Sequence, residues 1–222
     1  MKIINLLGLL LLLDFFNGFA EVPEISEPNS CSDNKITLLH KLINPSVLEL
    51  ALKGYSKIQD SSSEKGNFLA IVDFSISSTE KRFYLISMKD TTLVHIDYVS
   101  HGKHSGDVFA NSFSNQERSL KTSLGFYKVS ESYFGCHGLS LRLDGLDQGY
   151  NDNARTRAIV MHAAAYAEPL MIKELGRLGK SFGCPALPQN GFSFIANHIE
   201  ANAILFHYYP DEIYLKNCVW LR

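Results

Sequence analysis

In GKSFGCPALP (179–188) a cysteine stands between a glycine and a proline, with Lys180 and Ser181 just ahead of it. Gly183 allows backbone geometry and close approach that a side chain would block. Pro185 biases Cys184 toward an extended conformation and brings no N–H of its own. A thiol held in this way suits a nucleophile beside an oxyanion site, and it equally suits a structural cysteine in a tight turn. As a nucleophile it needs a base or a cation nearby, because a free thiol titrates near about 8.5. Among the eight histidines, His162 closes the apolar run of RAIVMHAAAY, about twenty residues before Cys184. Cysteine–histidine pairs meet in space and not in sequence, so this spacing is compatible with a base. A hydrogen-bonded core histidine is the alternative. His101, in the glycine-flanked HGKHSG, is a candidate for lining a substrate groove, the alternative being a histidine that braces its loop. His101 and His104 taken with Cys136-His137 do not have the spacing of a zinc site, so neither a metal nor a cofactor is expected.

The elements that must bring Cys184 and His162 together read mainly as strands. β-Branched and aromatic runs at 68–76, 82–88 and 93–99, separated by SSTEK and KDT turns, predict an antiparallel meander. The polar stretch 101–121 is too long for an ordinary connection, which marks it as functional. Strands resume at 125–129, 139–143 and 158–163, a short helix follows Pro169, and the cysteine loop comes next. A helix over 192–199, a strand over 203–208 and a last strand over 213–221, holding Cys218 near Trp220, complete the pattern. Asn153, Arg155 and Arg157, ahead of the His162 strand, alternate as an outward, solvated face would. Upstream, 34–43 is helical, and a second helix begins at Asn44-Pro45, with asparagine as N-cap and proline in the first turn. Val47, Leu50, Ala51 and Ile58 share one face of it. The polar segment QDSSSEKGN divides an N-terminal helical segment (34–66) from a domain over 67–222 that is mainly β with peripheral helices.

The first twenty residues, MKIINLLGLLLLLDFFNGFA, have a charged start, a leucine-rich centre and a small-x-small end at Ala20. That is a secretory signal peptide (1–20), and Asp14 interrupts the run short of the ~20 apolar residues a membrane span needs. Export without stable membrane insertion is expected, followed by a flexible leader over 21–33. A formal net charge of -2, with no basic cluster, argues against nucleic acid as a partner. Of the four cysteines, Cys31, Cys136 and Cys218 leave room for one bridge if Cys184 stays free, and the sequence does not choose the pair.

IVMHAAAY followed by GRLGKSFGCPALP resembles the murein L,D-transpeptidase catalytic domain, in the branch whose cysteine motif runs S-x-G-C-P-A. HGKHSG, FSN, SLGFY and GLSLRLDGLDQGYNDNARTRAIVMH look like that branch too, in the same order, so the resemblance covers 67–208. It implies a β-sandwich or mixed-sheet fold and a thiol acyl transferase of a bacterial periplasm or cell envelope, acting on peptidoglycan stem peptides. It makes Cys184 the nucleophile, His162 the base, Gly183 part of the turn at the oxyanion site and Ser181 the residue opening the motif. Two positions depart from it: Ala163 stands where glycine is common, and Ala186 where a polar or basic residue is usual. The second departure leaves the substrate carboxylate without an assigned partner. Arg177 is taken for that role and Lys180 for a solvated surface charge. Transfer to an amine and hydrolysis both fit these residues, as does a thiol L,D-endopeptidase. A wall-binding protein without chemistry has no reason to keep the pair.

Overall fold

The computed structural model describes residues 30–199 and 201–222. The expected export signal (1–20), the leader ahead of residue 30 and the side chain of Cys31 lie outside that description. Helix α1 (Ser30–Leu42) begins ahead of the expected Asn34, and helix ends are where pattern reading is least exact. Helix α2 (Pro45–Ser61) starts as its residues require: the Asn44 side chain accepts the Ser46 N–H at 3.0 Å, and Pro45 needs no partner in the first turn. Its inward face carries Val47, Leu48, Ala51 and Ile58, with Leu50 half-buried beside them.

Strands β1 (Phe68–Asp73), β2 (Phe83–Ser87) and β3 (Thr92–Asp97) form the expected meander. After the long polar stretch come β4 (Gly125–Gly135) and β5 (Gly138–Gly145), a hairpin longer than its apolar residues suggest, and then β6 (Val160–Ala163). Helix α3 (Leu170–Leu175) precedes the cysteine loop, followed by β7 (Ala186–Leu187), α4 (Gln189–His198) and β8 (Ile204–Tyr208). The eight strands make one mixed sheet in the order β3-β2-β1-β8-β4-β5-β6-β7. β8 lies between β1, to which it is parallel, and β4, to which it is antiparallel. A bridge from Ser100, just past β3, to Ala186 in β7 joins the two ends, so the sheet curls nearly closed. The fold is mainly β with peripheral helices.

Both faces of the sheet are covered, and the period-2 alternation of the strands divides their side chains between two cores. Ala70, Val72, Leu85, Leu143, Met161 and Leu205 point inside the curl with Phe192 and Ile195 of α4. Leu69, Ile71, Ile86 and Phe206 point outward and pack with Val47, Leu48 and Ala51 of α2. Each such side chain contributes on the order of 1.5–3 kcal/mol when fully buried, so the helical segment shares its core with the sheet.

The expected last strand over 213–221 is instead helix α5 (Glu212–Asn217) followed by a 3-10 turn, Val219–Leu221. The Asp211 carboxylate caps the helix by accepting the Tyr214 N–H at 2.8 Å. A helical repeat then turns Tyr214, Cys218 and Leu221 (i, i+4, i+7) into the outer core and leaves Ile213 exposed, a division that a strand could not make. Cys218 is buried as expected, at the end of a helix and not in a strand. Cys136, Cys184 and Cys218 are unbridged. No helix among the described residues is long and apolar enough to cross a membrane.

Candidate active site

The parallel pairing of β6 with β7 sets His162 opposite Ala186, and so brings the strand that carries His162 alongside the loop that carries Cys184. That loop is tied down on several sides. The Ser181 hydroxyl accepts the Gly183 N–H at 3.0 Å and donates to the Cys184 carbonyl at 2.7 Å. The Ser181 N–H donates to the His101 carbonyl at 3.0 Å, and the Lys103 N–H to the Ser181 carbonyl at 2.7 Å, so the long 101–121 stretch cradles the loop from below. Gly183 has φ of +128°, and a Cβ there would lie 2.9 Å from the Lys121 carbonyl oxygen. Only glycine fits both the angle and the space.

Beside the thiol opens a cavity of about 120 Å³ in whose wall Cys184, His162 and Ser181 stand together. Tyr166, His137, Phe182 and Lys180 complete the lining. His162 is 1% exposed. Its Nδ1 lies 2.9 Å from the Ala163 carbonyl oxygen, which can only accept, so the ring hydrogen sits on Nδ1 and Nε2 keeps its lone pair. The Tyr166 hydroxyl is 3.5 Å from that Nε2, and the His137 ring stacks on His162 at 4.2 Å and 20°. Burial, with a smaller contribution from His137, lowers the His162 pKa below 6.5, so the imidazole is neutral at pH 7.

The Cys184 thiol moves the other way. Burial raises its pKa above 9.0, against the pull of the Val160 N–H and the Arg157 guanidinium. In the free protein its S–H donates to the Ala158 carbonyl, with the sulfur 3.8 Å from that oxygen. Ala158 itself has φ of +53°, an uncommon backbone state for a residue with a Cβ, of the kind that clusters at functional sites. The resting pair is therefore a thiol and a neutral imidazole, not a preformed ion pair. A half-buried thiol, an imidazole whose free nitrogen is fixed by a backbone carbonyl, and a small cavity against both are an arrangement that can support nucleophilic acyl chemistry.

Residues 39–208 match the L,D-transpeptidase catalytic domain, more than half of the chain. The chain belongs to that family. Among solved structures, the L,D-transpeptidase domain described here is similar to an L,D-transpeptidase from Mycobacterium smegmatis, at 11% identity and a TM-score of 0.41 over 65% of this chain and 59% of that one. It is also similar to one from Mycobacterium tuberculosis H37Rv, at 14% identity and a TM-score of 0.42 over 65% and 58%. A third, from Xylanimonas cellulosilytica, gives 13% and 0.38 over 66% and 63%. The chain thus spans about three fifths of the length of these structures. No curated protein matches it.

Within this L,D-transpeptidase domain, Cys184, His162, Ser181 and Gly183 come together, and His101 does not join them. His101 is 1% exposed beneath the cysteine loop, and its Nδ1 accepts from Arg82 Nη2 at 2.9 Å. Arg82 is itself buried and draws acceptors around it, including the carbonyls of Val99 and Ile76. Burial and then the Arg82 charge push the His101 pKa down to about 3. His101 therefore braces the loop through its carbonyl and does not line the groove. Arg177 is not among the residues that line the cavity; its Nε pairs with Asp107 at 2.8 Å. Lys180, expected as a solvated charge, lines the cavity.

The outward face expected of Asn153, Arg155 and Arg157 holds for Arg155, which pairs with Glu131 and Asp144. Arg157 turns inward: its guanidinium donates to the Ser114 carbonyl at 2.8 Å and the Lys121 carbonyl at 2.6 Å, and it is the cation that draws the thiol pKa down. Tyr166 follows His162 by four residues in HAAAY, where β6 gives way to a 3-10 turn (Ala165–Ala167) that brings it back to the site. His137 was beyond sequence reasoning, because only the β4–β5 hairpin carries it across to the site.

Proposed function

We propose that this domain is a cysteine acyl transferase that works on peptidoglycan stem peptides after export to the cell envelope. The observation that carries the reading is the fixed tautomer of His162 in the same cavity wall as the Cys184 thiol. The sulfur attacks the carbonyl at the L-centre of a diamino acid residue while His162 Nε2 takes the thiol proton. Because the resting pair is neutral, proton removal accompanies the attack. The Gly183 N–H is occupied by Ser181 and Pro185 has none to offer, so the oxyanion is assigned to the Cys184 N–H, which already faces the sulfur. As the tetrahedral intermediate collapses, the C–N bond breaks, His162 returns the proton to the departing D-amino acid, and a thioester remains on Cys184. An acceptor amine, or water, then attacks the thioester; His162 takes the proton and gives it back to sulfur. Ser181 and Gly183 hold the turn, and Arg157 stabilises negative charge on sulfur. Arg177 supplies positive charge for a substrate carboxylate.

Incubating the mature protein with purified muropeptides and following the mixture by mass spectrometry tests the proposal. Cross-linked dimers are the expected products of transfer and shortened stems those of hydrolysis. Both should vanish in Cys184→Ala and fall nearly to background in His162→Ala. An unchanged profile with the unmodified protein would overturn the enzymatic reading in favour of a wall-binding protein on the same fold.

A further inference from the structure

Two cations from the segment leading to the cysteine loop converge on a single exposed oxygen. Lys180 Nζ is 2.7 Å from Asp107 Oδ1, and Arg177 Nε is 2.8 Å from the same atom. The three side chains are not held alike: Lys180 is 16% exposed and Arg177 26%, whereas Asp107 is 75% exposed on the long polar stretch. Arg177 is further fixed by donating from Nη1 to the Leu178 carbonyl at 2.8 Å. Lys180 faces the cavity that holds Cys184 and His162. The cations are thus set in place by the fold, while the anion between them reaches in from a solvated loop.

We propose that Lys180 and Arg177 form a carboxylate-binding clamp at the mouth of the thiol cavity, and that Asp107 occupies it in the free protein as a built-in stand-in for the ligand. The ligand class is a peptide with a free carboxylate close to the amide being cleaved. Two positive charges against one negative leave the clamp net positive with Asp107 in place. Exchanging Asp107 for a substrate carboxylate replaces one ion pair by another, so the exchange itself is cheap. An exposed pair of this kind contributes only a factor of about two to five to an equilibrium. The two Asp107 contacts, which hold its carboxyl below the usual carboxylate range through Lys180 first, keep it anionic at working pH and able to compete. The clamp gives a role to Lys180 and to Asp107 of the stretch 101–121. It rests on the reading of Cys184 as the site's nucleophile.

Paired alkylating reagents test this without any peptidoglycan. Iodoacetate carries a carboxylate and iodoacetamide does not, and peptide mapping reads the adduct at Cys184 separately from the one at exposed Cys136. The rate ratio of iodoacetate to iodoacetamide at Cys184 should rise about threefold in Asp107→Asn and fall about threefold in Lys180→Met, with the iodoacetamide rate unchanged. Lys103→Met removes the same charge from the neighbouring stretch outside the clamp and should leave the ratio as it was. A Lys103→Met effect as large as that of Lys180→Met would assign the response to the general field and overturn the clamp. A ratio that drops in Asp107→Asn would mean that Asp107 organises Lys180 and does not compete, which also overturns the proposal. If the ratios respond as expected in a protein that leaves muropeptides unchanged, the clamp stands and the acyl-transfer reading fails.

Discussion

At the scale of single residues, the site works by holding two groups in their uncharged forms. Burial moves the His162 pKa below 6.5 and the Cys184 pKa above 9.0, so over the interval between them the thiol and free imidazole that the proposed attack uses dominate. The pH profile of kcat/KM is therefore expected to be a broad plateau, with its acid limb below 6.5 and its alkaline limb above 9.0. An alkaline limb below 9.0, set by an imidazolium losing its proton, would mean that the pair is a preformed thiolate–imidazolium instead. Arg157 lowers the thiol pKa, so Arg157→Met should move the alkaline limb to higher pH, while Arg157→Lys, which keeps the charge, should move it less. Stopped-flow or steady-state rates across pH decide both points. The sequence already pointed to Cys184 and His162 through their motifs. It could not report the direction of either pKa shift, because burial is a property of everything that packs against a group.

At the scale of elements, the contact between α2 and the sheet is tight at one glycine. A Cβ on Gly54 would come within 2.1 Å of the Phe126 ring in β4, itself stacked on Phe206 of β8 at 4.1 Å. Gly54 is buried in a helix, where alanine would otherwise be the better residue by about 1 kcal/mol. Here overpacking wins: Gly54→Ala should destabilise the domain by about 1–3 kcal/mol, because a stacked ring pair cannot yield as the end of a flexible side chain would. Denaturant unfolding measures this, and an unchanged or raised midpoint would show that the helix slides outward at little cost. The family match begins at Leu39, within α1, and so takes in both helices as well as the sheet. The helices form part of the surface on which β1, β8 and β4 lie. Their amphipathic face was visible in the spacing of Val47, Ala51 and Ile58, but which sheet face it covers was not.

At the scale of the whole molecule, one histidine outside the thiol cavity is kept neutral inside the fold. His207 lies in β8 with its Nδ1–H donated to the Ser123 carbonyl at 3.0 Å and its ring edge-on to Phe74, and burial pushes its pKa down to about 4. An unfolded histidine takes its proton near 6.5, so between 6.5 and about 4 unfolding binds a proton that the folded state refuses. The stability contributed by neutral His207 is present above 6.5 and is lost as the pH falls through about 4. Asp73 and Asp147, raised by burial, act in the opposite sense, and they are common to any pair of proteins that differ only at His207. His207→Gln should melt lower than the unmodified domain at pH 7, and the gap should narrow as the pH is lowered toward 4. A gap that stays constant in calorimetry over that range would mean that His207 titrates normally in the fold.

Local pattern was enough for the β1–β3 meander, the capped start of α2, the apolar strand ending at His162 and the glycine–cysteine–proline turn. Each of these depends on residues a few positions apart: alternation along a strand, a cap beside its helix, a φ angle that only glycine takes. The insertion of β8 between β1 and β4, and the parallel register that sets His162 beside the Cys184 loop, came from the tertiary structure, because alternation says which face a strand buries and not which strand lies next to it. The end of the chain was misread for a related reason, since Ile213, Tyr214, Cys218 and Leu221 are apolar enough for a strand until the Asp211 cap and the outer core select the helical repeat. Charges were decided last of all. His101 went inside because a buried Arg82 needed acceptors, Arg157 turned in to backbone carbonyls, and Lys180 met Asp107 of the long polar stretch. A charged side chain settles where its long-range partners are, and no short stretch of sequence names them.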